Sequence, residues 1–317
     1  MKLSDAPYVS IIVPAKNEAG ILGNCLDALF VLDYPREKYE VIVIDNGSTD
    51  GTVRIAEEKG AAVYLQPDLT ISGMRNYGVK LAHGDVVAFV DADVLVRKDW
   101  LTSALPILFE DGVGCVGCSP EIPDNAGWVE KTWHIQIDTR PERFEKDWIA
   151  SMNMLVRKQA FEETGGFNES LRTCEDVDFC YRLTMRWKII YAKSIGAVHY
   201  GEAKSVIQLF KKESWRGISN FDGMRSHGFT FKELPSHAIA LYFCCVLLTL
   251  PMLLLFDQSA FCFIAGVSLL PPGVASVRIV KKTCRYSTLL PLTALWTVYC
   301  FARGWSLVRY VFKIYNR

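Results

Sequence analysis

The chain has 317 residues, 50% of them hydrophobic, and its 35 basic and 35 acidic side chains give no formal net charge. This length accommodates one large catalytic domain and a smaller second part. The charges are unevenly placed, because the stretch from Ser236 to the end has many Lys and Arg residues but only one acid, Asp257. Basic residues interleaved with long apolar runs suit an anionic membrane surface, so we expect membrane lipids and no nucleic acid as partners.

The first part of the chain alternates between short apolar runs and helical stretches. Buried strands are predicted over residues 9–13, 41–44, 61–65 and 86–90. Helices are predicted over residues 21–30, 52–59 and 73–82, with Ser48 or Thr49 as the cap of the second. Strands that alternate with helices form parallel βαβ units. The predicted fold class is therefore α/β, with a mostly parallel central sheet flanked by helices.

Polar side chains follow the ends of these predicted strands. Asn17 and Glu18 follow the first strand, Asp45 ends the second, and Asp91 and Asp93 follow the fourth. Ligands of such sheets bind at the carboxyl ends of the strands. Two carboxylates one residue apart suit a hard divalent cation, Mg²⁺ or Mn²⁺, which would neutralise a departing diphosphate. Asp45 is equally suited to a turn, and two nearby acids also occur in solvated loops.

The middle of the chain is less regular and rich in tryptophan. Glu175 and Asp176 precede a predicted helix, where they favour either a simple acidic first turn or a general base. His199 follows a short predicted strand and is either structural or a ligand of a metal or phosphate. Cys115 and Cys118 have the spacing of a zinc or redox pair, but no second pair follows, so we predict that they pack in the core.

Three apolar runs follow residue 237. The runs over residues 238–256 and 260–277 carry no charge, and about 20 such residues cross a bilayer. A polar break over residues 257–259 separates them, and the third run, over residues 287–302, is shorter. We predict two membrane helices from the first two runs.

The charges around these runs predict a topology. With the catalytic part inside the cell, Asp257 would lie outside and a basic loop, Arg278–Arg285, inside, as the positive-inside rule requires. A third span would place Arg303 and the basic residues after it outside, so that segment is predicted to be interfacial or re-entrant. The N-terminus has no apolar signal region. We expect a cytoplasmic catalytic domain over residues 1–235 and membrane-anchoring helices with a basic tail over residues 236–317, at the cell (inner) membrane.

The sequence resembles family 2 inverting glycosyltransferases, which have the A-type nucleotide-diphospho-sugar transferase fold, a Rossmann-like arrangement. The stretches that carry the resemblance occur in the family's order and cover roughly residues 8–220. They are VSIIVPAKNEAG, VIVIDNGSTDGT, GMRNYGVKLAHGD, VVAFVDADV, MLVRKQAFEETGGFNESLRTCEDVDFCYRL and VHYGE.

The resemblance implies roles for individual residues. It implies that the donor nucleotide is bound by Pro14, Ala15, Asn17, Glu18, Asp45, Arg75 and Asp91. It also implies that a divalent cation is held by Asp93, Asp91 and His199, and that Asp176 is the catalytic base. We expect contacts to the acceptor or the diphosphate from Glu175, Trp148, Asn153, Trp215 and Arg216. The family's membrane-bound members often carry a Gln-x-x-Arg-Trp motif. In this chain that order is reversed, which favours transfer of a single sugar over polymer synthesis.

The predicted function is transfer of a sugar, with inversion and metal dependence, from a nucleotide-diphospho-sugar to a lipid-linked or glycan acceptor in surface polysaccharide or glycolipid assembly. One alternative is a nucleotidyltransferase of similar fold, although that class has a Gly-rich basic loop after the first strand. Another is a non-catalytic nucleotide-sugar-binding scaffold at the membrane. An NAD-dependent oxidoreductase would need a Gly-x-Gly-x-x-Gly turn. The corresponding turn here is Pro14-Ala15-Lys16-Asn17-Glu18.

Overall fold

A computed structural model describes residues 6–218 and 234–315 of the chain. These residues form two compact units. The first contains the residues up to Pro123 together with Pro141–Gly201. The second contains Asp124–Arg140 and the residues from Glu202 onward.

The regular elements follow one another with short connections. The strands are β1 (Val9–Ala15), β2 (Tyr39–Asp45), β3 (Ala62–Leu65), β4 (Val86–Val90), β5 (Val94–Val96), β6 (Val113–Gly117), β7 (Arg143–Glu145), β8 (Asn153–Arg157), β9 (Lys188–Ala192) and β10 (Ala197–His199). The helices are α1 (Leu22–Phe30), α2 (Thr52–Glu58), α3 (Ile71–Leu81), α4 (Trp100–Leu108), α5 (Trp128–Asp138), α6 (Lys158–Thr164), α7 (Glu175–Leu183), α8 (Val206–Arg216), α9 (Leu234–Phe256), α10 (Gln258–Ser268), α11 (Leu270–Thr283) and α12 (Leu289–Tyr315).

A mixed sheet forms the centre of the first unit, with the strand order β3-β2-β1-β4-β8-β6-β9-β7. The pairings among β1, β2, β3 and β4 are all parallel, whereas β8 runs antiparallel to both of its neighbours, β4 and β6. The α/β prediction and the four predicted strands are confirmed. The predicted helix cap is wrong, because Gly51 precedes α2 and the Ser48 hydroxyl donates to Asp45 instead.

Both faces of the sheet are covered, which is why its central strands read as continuous apolar runs. On one face, Ile11 and Val13 of β1 pack with side chains of α1 and α4. On the other face, Ile12 and Ile42 pack with side chains of α3, α6 and α7. Burying each such aliphatic side chain stabilises the fold by about 1.5–3 kcal/mol. The sheet is therefore a rigid support for the loops at its edges.

The cysteines of the sheet are part of this packing. Cys115 and Cys118 are buried, and the Cys118 thiol donates to the Ile195 carbonyl oxygen at 2.7 Å. Loss of hydration raises the pKa of Cys115 well above its usual value, which keeps the thiol neutral. The prediction that this pair packs in the core is confirmed.

A separate two-stranded ribbon lies in the same unit. β5 and β10 pair antiparallel, with His199 opposite Val94. The Tyr200 N–H donates to the Asp93 carbonyl oxygen at 2.9 Å, and the His199 N–H donates to the Glu121 carbonyl oxygen at 2.9 Å. The ribbon therefore brings His199 beside the segment that follows β4, although the two are more than 100 residues apart in sequence.

The second unit is helical. Trp133 of α5 stacks against Trp296 and Tyr299 of α12, with ring centroids 5.3 and 5.7 Å apart. In the described part of the chain, two apolar stretches are long enough to cross a membrane, Leu234–Phe256 and Gln258–Thr283. The basic stretch predicted as a loop begins within α11 instead, because Pro271 and Pro272 lie in the first turn of that helix, where proline is tolerated.

Candidate active site

The strand order creates a crevice at one edge of the large sheet. β1 lies between β2 and β4, so the chain leaves β1 toward β2 on one side and later returns to β4 on the other. Such a switch point separates the loops at the carboxyl ends of the two strands, and ligands of open α/β sheets bind there. Pro14 and Ala15 end β1 opposite Ile44 and Asp45 of β2, which places the first two predicted loops side by side.

Hydrogen bonds join the loops after β1 and β2. The Asn17 N–H donates to Ser48 Oγ at 2.8 Å, and the Thr49 N–H donates to Asn17 Oδ1 at 2.8 Å. The Glu18 N–H donates to Thr52 Oγ1 at 2.8 Å. Asn17 holds a left-handed backbone, φ 56°, a conformation that asparagine tolerates better than most residues. The two loops therefore form one preorganised wall.

Asp45 lies at the base of this wall and is buried. Its Oδ1 accepts from the Ser48 N–H at 2.9 Å, and its Oδ2 accepts from the Ser48 hydroxyl. A carboxylate has about four lone-pair sites, so acceptor capacity is left over for a ligand N–H or hydroxyl. The structure thus gives Asp45 both the turn role and a position at the crevice.

Arg75 of α3 bridges two acids that are distant in sequence. Its Nη2 donates to Asp91 Oδ1 at 2.8 Å and its Nη1 donates to Glu175 Oε1 at 2.7 Å, while its side chain is only 3% exposed. The guanidinium carbon lies 5.6 Å from the centre of the Phe167 ring. Burial acts to lower the pKa of Arg75, but the charges of Asp91 and Glu175 outweigh it and raise the pKa above the usual value. The bridge therefore fixes Asp91, at the crevice, to Glu175 at the start of α7.

Several carboxylates converge beyond β4. The pKa of Glu18 is raised, first by loss of hydration and then by the negative charges of Asp93, Asp91 and Asp50. Asp91 is already paired with Arg75, but Asp93 Oδ2 lies 3.3 Å from His199 Nε2. Crowded negative charge of this kind is what a bound cation stabilises.

Asp93 and His199 fit a divalent cation with few protein ligands. A Cβ atom at Gly201 would overlap Asp93 Oδ2 and lie 2.7 Å from His199 Nε2, so only glycine lets the Asp93 carboxylate and the His199 ring lie together here. Within residues 6–218 and 234–315, no group of three or more His, Cys, Asp and Glu side chains is arranged to hold a metal by itself. Carboxylate oxygen and imidazole nitrogen nevertheless suit Mn²⁺ or Mg²⁺, which commonly take their remaining ligands from water and substrate phosphate.

Asp176 lies in the first turn of α7, next to the Arg75 bridge. Cys174, just before the helix, has a left-handed backbone with φ 64°, which turns the chain sharply into α7. Loss of hydration, followed by the negative charge of Glu175, raises the pKa of Asp176 to about 7, although Arg75 acts to lower it. A carboxylate with this pKa accepts a proton readily near neutral pH.

The residues predicted to contact an acceptor lie in different places. Trp148 is 41% exposed on the first unit, with Lys146 Nζ 4.7 Å from its ring centre. Trp215 and Arg216 belong to α8 of the second unit, where Trp215 is exposed and Arg216 pairs with Glu213 at 2.7 Å.

Asn153 lies in the core rather than at the crevice. Its Oδ1 accepts from the Trp100 indole N–H at 2.7 Å, and its Nδ2 donates to the Ile195 carbonyl oxygen at 3.0 Å. Its Nδ2 also lies 3.1 Å from Cys118 Sγ. These bonds use the amide to tie β8 to its surroundings, so the position of Asn153 does not support an acceptor contact.

Sequence reasoning did not single out Gly201 or the partnership between Arg75 and Glu175. The only local signal for Gly201 is a glycine two residues after a histidine that ends a strand. No local signal exists for the Arg75–Glu175 pair, because the two residues are separated by 100 positions.

Comparisons with known proteins agree with this architecture. Residues 10–168 match the model of glycosyl transferase family 2. Glycosyltransferase AglE of Haloferax volcanii is 31% identical over 221 residues, which cover 66% of this chain and 72% of AglE. A beta-monoglucosyldiacylglycerol synthase of Nostoc sp. is 32% identical over 203 residues, 58% of this chain but only 42% of that protein. This chain thus spans less than half of the Nostoc relative.

A solved structure is similar over nearly the whole chain. The mannosyltransferase PcManGT from Pyrobaculum calidifontis, in complex with GDP-Man and Mn²⁺, superposes with a TM-score of 0.65 and 19% sequence identity. The match covers 98% of this chain and 89% of PcManGT. At this level of identity the similarity establishes a shared fold.

Proposed function

The chain belongs to glycosyl transferase family 2 and is a glycosyltransferase, and we propose that it moves a sugar from a nucleoside-diphosphate donor to a lipid-linked or glycan acceptor at a membrane surface, with inversion. One observation carries the proposal. The Asp93–His199 pair, the Arg75 bridge and a carboxyl that titrates near neutral pH all lie at the carboxyl edge of one sheet. These parts supply what a displacement at a sugar carbon needs.

The donor nucleotide would bind along the wall formed by the loops after β1 and β2. Asp45 has acceptor capacity for an N–H of the base, and Asp91 and Glu18 have it for ribose hydroxyls. Pro14 and Ala15 would line this pocket through their backbone, since they end β1 beside Asp45. Arg75 would act on the donor mainly by fixing Asp91, because its two Nη atoms already bind carboxylates.

A divalent cation would be held by Asp93 and His199, which lie together because Gly201 has no side chain. When bound, such a cation neutralises the charge that develops on the departing diphosphate. Asp91 would support the site from the side through its ion pair with Arg75. The Mn²⁺ in the PcManGT complex supports a cation in this role.

Asp176 would be the base of a direct displacement. Its carboxylate takes the proton of an acceptor hydroxyl, whose oxygen attacks the anomeric carbon as the bond to the diphosphate oxygen breaks. Attack on the face opposite the leaving group inverts the anomeric carbon, and no covalent enzyme intermediate is required. Positioning and electrostatic stabilisation would supply most of the rate enhancement.

The acceptor is proposed to be at the membrane, with the catalytic unit on the cytoplasmic side. Two observations support this: the apolar helices of the second unit and the relative named as a diacylglycerol-glycolipid synthase. A lipid-linked acceptor would serve surface polysaccharide or glycolipid assembly. Basic residues around the apolar helices would favour an anionic, cytoplasmic leaflet.

The test is release of nucleoside diphosphate from a panel of nucleotide sugars by the detergent-solubilised full chain. We expect slow turnover of one donor with Mn²⁺ or Mg²⁺, and none with EDTA. Transfer to an acceptor identified in a lipid extract should then yield the opposite anomer, as measured by NMR coupling constants. Turnover that EDTA leaves unchanged would exclude the cation, and retained configuration would exclude direct displacement.

The proposed cation site predicts a specific effect of a single methyl group. Gly201→Ala should weaken Mn²⁺ binding by at least tenfold, because its Cβ overlaps Asp93 Oδ2 and crowds His199. Mn²⁺ affinity is read by electron paramagnetic resonance in the presence of the nucleoside diphosphate. Gly20→Ala is the matched control, since a Cβ there meets no atom within 4 Å. Equal Mn²⁺ affinity of the two variants would contradict the assignment of Asp93 and His199.

A further inference from the structure

The apolar helices of the second unit form a hairpin, defined here as α9, α10 and α11. By length alone, α9 would cross a bilayer, because its 23 residues extend about 35 Å at 1.5 Å per residue. The hydrocarbon core of a bilayer is about 30 Å thick. How deep the hairpin reaches therefore depends on where the rest of the second unit holds it.

A buried ion cluster fixes α12 to α8. Arg303 Nη2 donates to Glu213 Oε2 at 2.9 Å, and Arg216 Nη1 donates to Glu213 Oε1 at 2.7 Å. Leu295 of α12 packs with Leu209 of α8 in the same small core. α12 thus packs against the central turns of α8. The ion cluster and these turns therefore lie at about the same depth relative to a membrane.

The part of the unit that contains α8 and the ion cluster must lie outside the hydrocarbon core of the membrane. The outer face of α8 presents the exposed side chains of Gln208 and Lys211, and Lys204 just before the helix is exposed as well. Surrounding these groups with lipid tails would cost several kcal/mol for each charge. Exposed Ile207 and Trp215 on the same helix suit the headgroup region, where apolar and aromatic side chains lie beside basic ones.

α9 is held at the same level by close packing against α12. A Cβ at Gly304 would lie 2.6 Å from the Phe243 carbonyl carbon, so the two helices cross there with little space between them. The Phe243 ring also packs edge-to-face against the Phe301 ring, with centroids 5.1 Å apart. Since Gly304 follows Arg303 directly, Phe243 lies close to the level of the ion cluster.

Little of α9 then remains to enter a membrane. The segment from Cys244 to Phe256 has thirteen residues and extends about 20 Å, which is less than the ~30 Å of hydrocarbon. The return leg, Gln258–Thr283, starts from the same tip, and α10 and α11 meet within it at Leu269, whose backbone is helical. The depth that the tip can reach is therefore limited by α9. The hairpin is therefore too short on this side to bring its tip, Asp257, out of the opposite surface.

The surface of the hairpin matches such a partial insertion. Its tip exposes large apolar side chains: Leu248, Met252, Leu254, Leu255, Phe256, Phe263, Leu269 and Leu270. Its base exposes a cluster of basic ones: Arg278, Lys281, Lys282 and Arg285. An apolar tip with a basic collar fits the interior and the anionic headgroups of a single leaflet.

We propose that the hairpin is a re-entrant anchor that enters an anionic membrane from one side and returns to it, instead of crossing twice. The start of α9 and the chain after α11 then lie on the same side as α8, and Asp257 lies within the bilayer rather than outside the cell. The proposal rests on the proposed function only in placing the protein at a membrane.

The test uses the full chain with the exposed cysteines Cys245, Cys262 and Cys284 replaced by serine. Gln258→Cys marks the tip and Ser287→Cys marks the base, and both positions are exposed in the protein. Each variant is reconstituted into sealed vesicles of equal parts phosphatidylcholine and phosphatidylglycerol. A membrane-impermeant maleimide is then added outside the vesicles or trapped inside them. In a parallel sample, bimane attached at the tip before reconstitution is exposed to lipids brominated on their acyl chains.

The re-entrant anchor predicts that Gln258→Cys reacts from neither side, that Ser287→Cys reacts from one side, and that the bromolipids quench the bimane. Tip labelling from the side opposite to the base would show a spanning hairpin and overturn the proposal. Tip labelling from the same side as the base, without quenching, would show that the hairpin is not in the bilayer. Donor turnover measured on the same vesicles separates either outcome from a failure of the proposed catalytic function.

Discussion

Replacing Asp176 with asparagine is expected to lower the rate of sugar transfer by about 10³-fold, because the variant has no group to accept the proton of the acceptor hydroxyl. The affinity for the donor should change by less than about twofold, because no contact between Asp176 and the donor is proposed. Single-turnover kinetics and calorimetric titration of the nucleoside diphosphate measure these two quantities. Asp27→Asn is the control, because Asp27 is an exposed partner of Lys59 on the surface.

The raised pKa of Asp176 also predicts the pH dependence. The proton is bound more tightly in the folded protein, with a pKa of about 7, than at the usual value of 3.8. Transfer should therefore rise with pH through about 7, as the base becomes ionised. A transfer rate that rises at the usual pKa of a carboxyl group would contradict the assignment of Asp176 as the base. Near-full activity of the asparagine variant would contradict it as well.

The raised pKa of Asp176 also predicts how the stability of the fold depends on pH. Ionising Asp176 opposes folding, so its destabilising effect is absent below the usual pKa of 3.8, grows as the pH rises above that value and is complete above the folded pKa of about 7. The asparagine variant should thus be more stable than the parent chain at about pH 8, by roughly 1–3 kcal/mol, and equally stable at about pH 3. Chemical denaturation at the two pH values measures the difference and shows at once that the inactive variant is folded.

Replacing the buried Arg75 with methionine is expected to destabilise the fold strongly. It leaves Asp91 and Glu175 without their shared partner in a site where the arginine is 3% exposed. Removing one member of a buried ion pair costs about 3–5 kcal/mol. Arg75 acts to lower the pKa of Asp176. Loss of Arg75 should therefore also raise the pH at which the transfer rate increases.

Arg182→Met is the matched control for this effect. Arg182 pairs with the fully buried Asp178 on α7 and donates to the Thr164 and Gly166 carbonyl oxygens. Loss of Arg182 should also destabilise the fold, but the pH at which the transfer rate increases should not change. Arg75→Lys should restore part of the stability and not the geometry, since a lysine cannot bridge two carboxylates as a planar fork does. Unchanged pH profiles in both Arg75 variants would refute a link between the bridge and the base.

The sequence predicts the strands and the loops that follow β1, β2 and β4 well, for a physical reason. β1, β2 and β4 are buried on both faces, so their apolar runs are conspicuous, and the polar residues that follow them mark the crevice. Asp45 and Asp93 are found in this way without any knowledge of tertiary structure. The sheet order then places both at the carboxyl ends of parallel strands, on either side of β1.

The rest of the site depends on contacts between distant segments. The antiparallel insertion of β8 between β4 and β6 has no signature in a five-residue strand. The pairing of Arg75 with Glu175, and of Asp93 with His199, is likewise set by the completed fold. For the run over residues 287–302, which forms much of α12, the basic residues that follow it predict an interfacial or re-entrant segment. Only the contact between Arg303 and Glu213 identifies the helix that α12 packs against.

The position of β8 also has a consequence for the order of folding. β1 to β4 all precede β8 in the chain, and the pairing of β4 with β8 joins Val86–Val90 to the later-synthesised Asn153–Arg157. A chain that emerges from the ribosome N-terminus first can thus complete the wall formed by the loops after β1 and β2 while α7 is still unmade. The half-sheet at that stage has an open, unpaired β4 edge, and β8 is the strand that closes it against pairing with other chains.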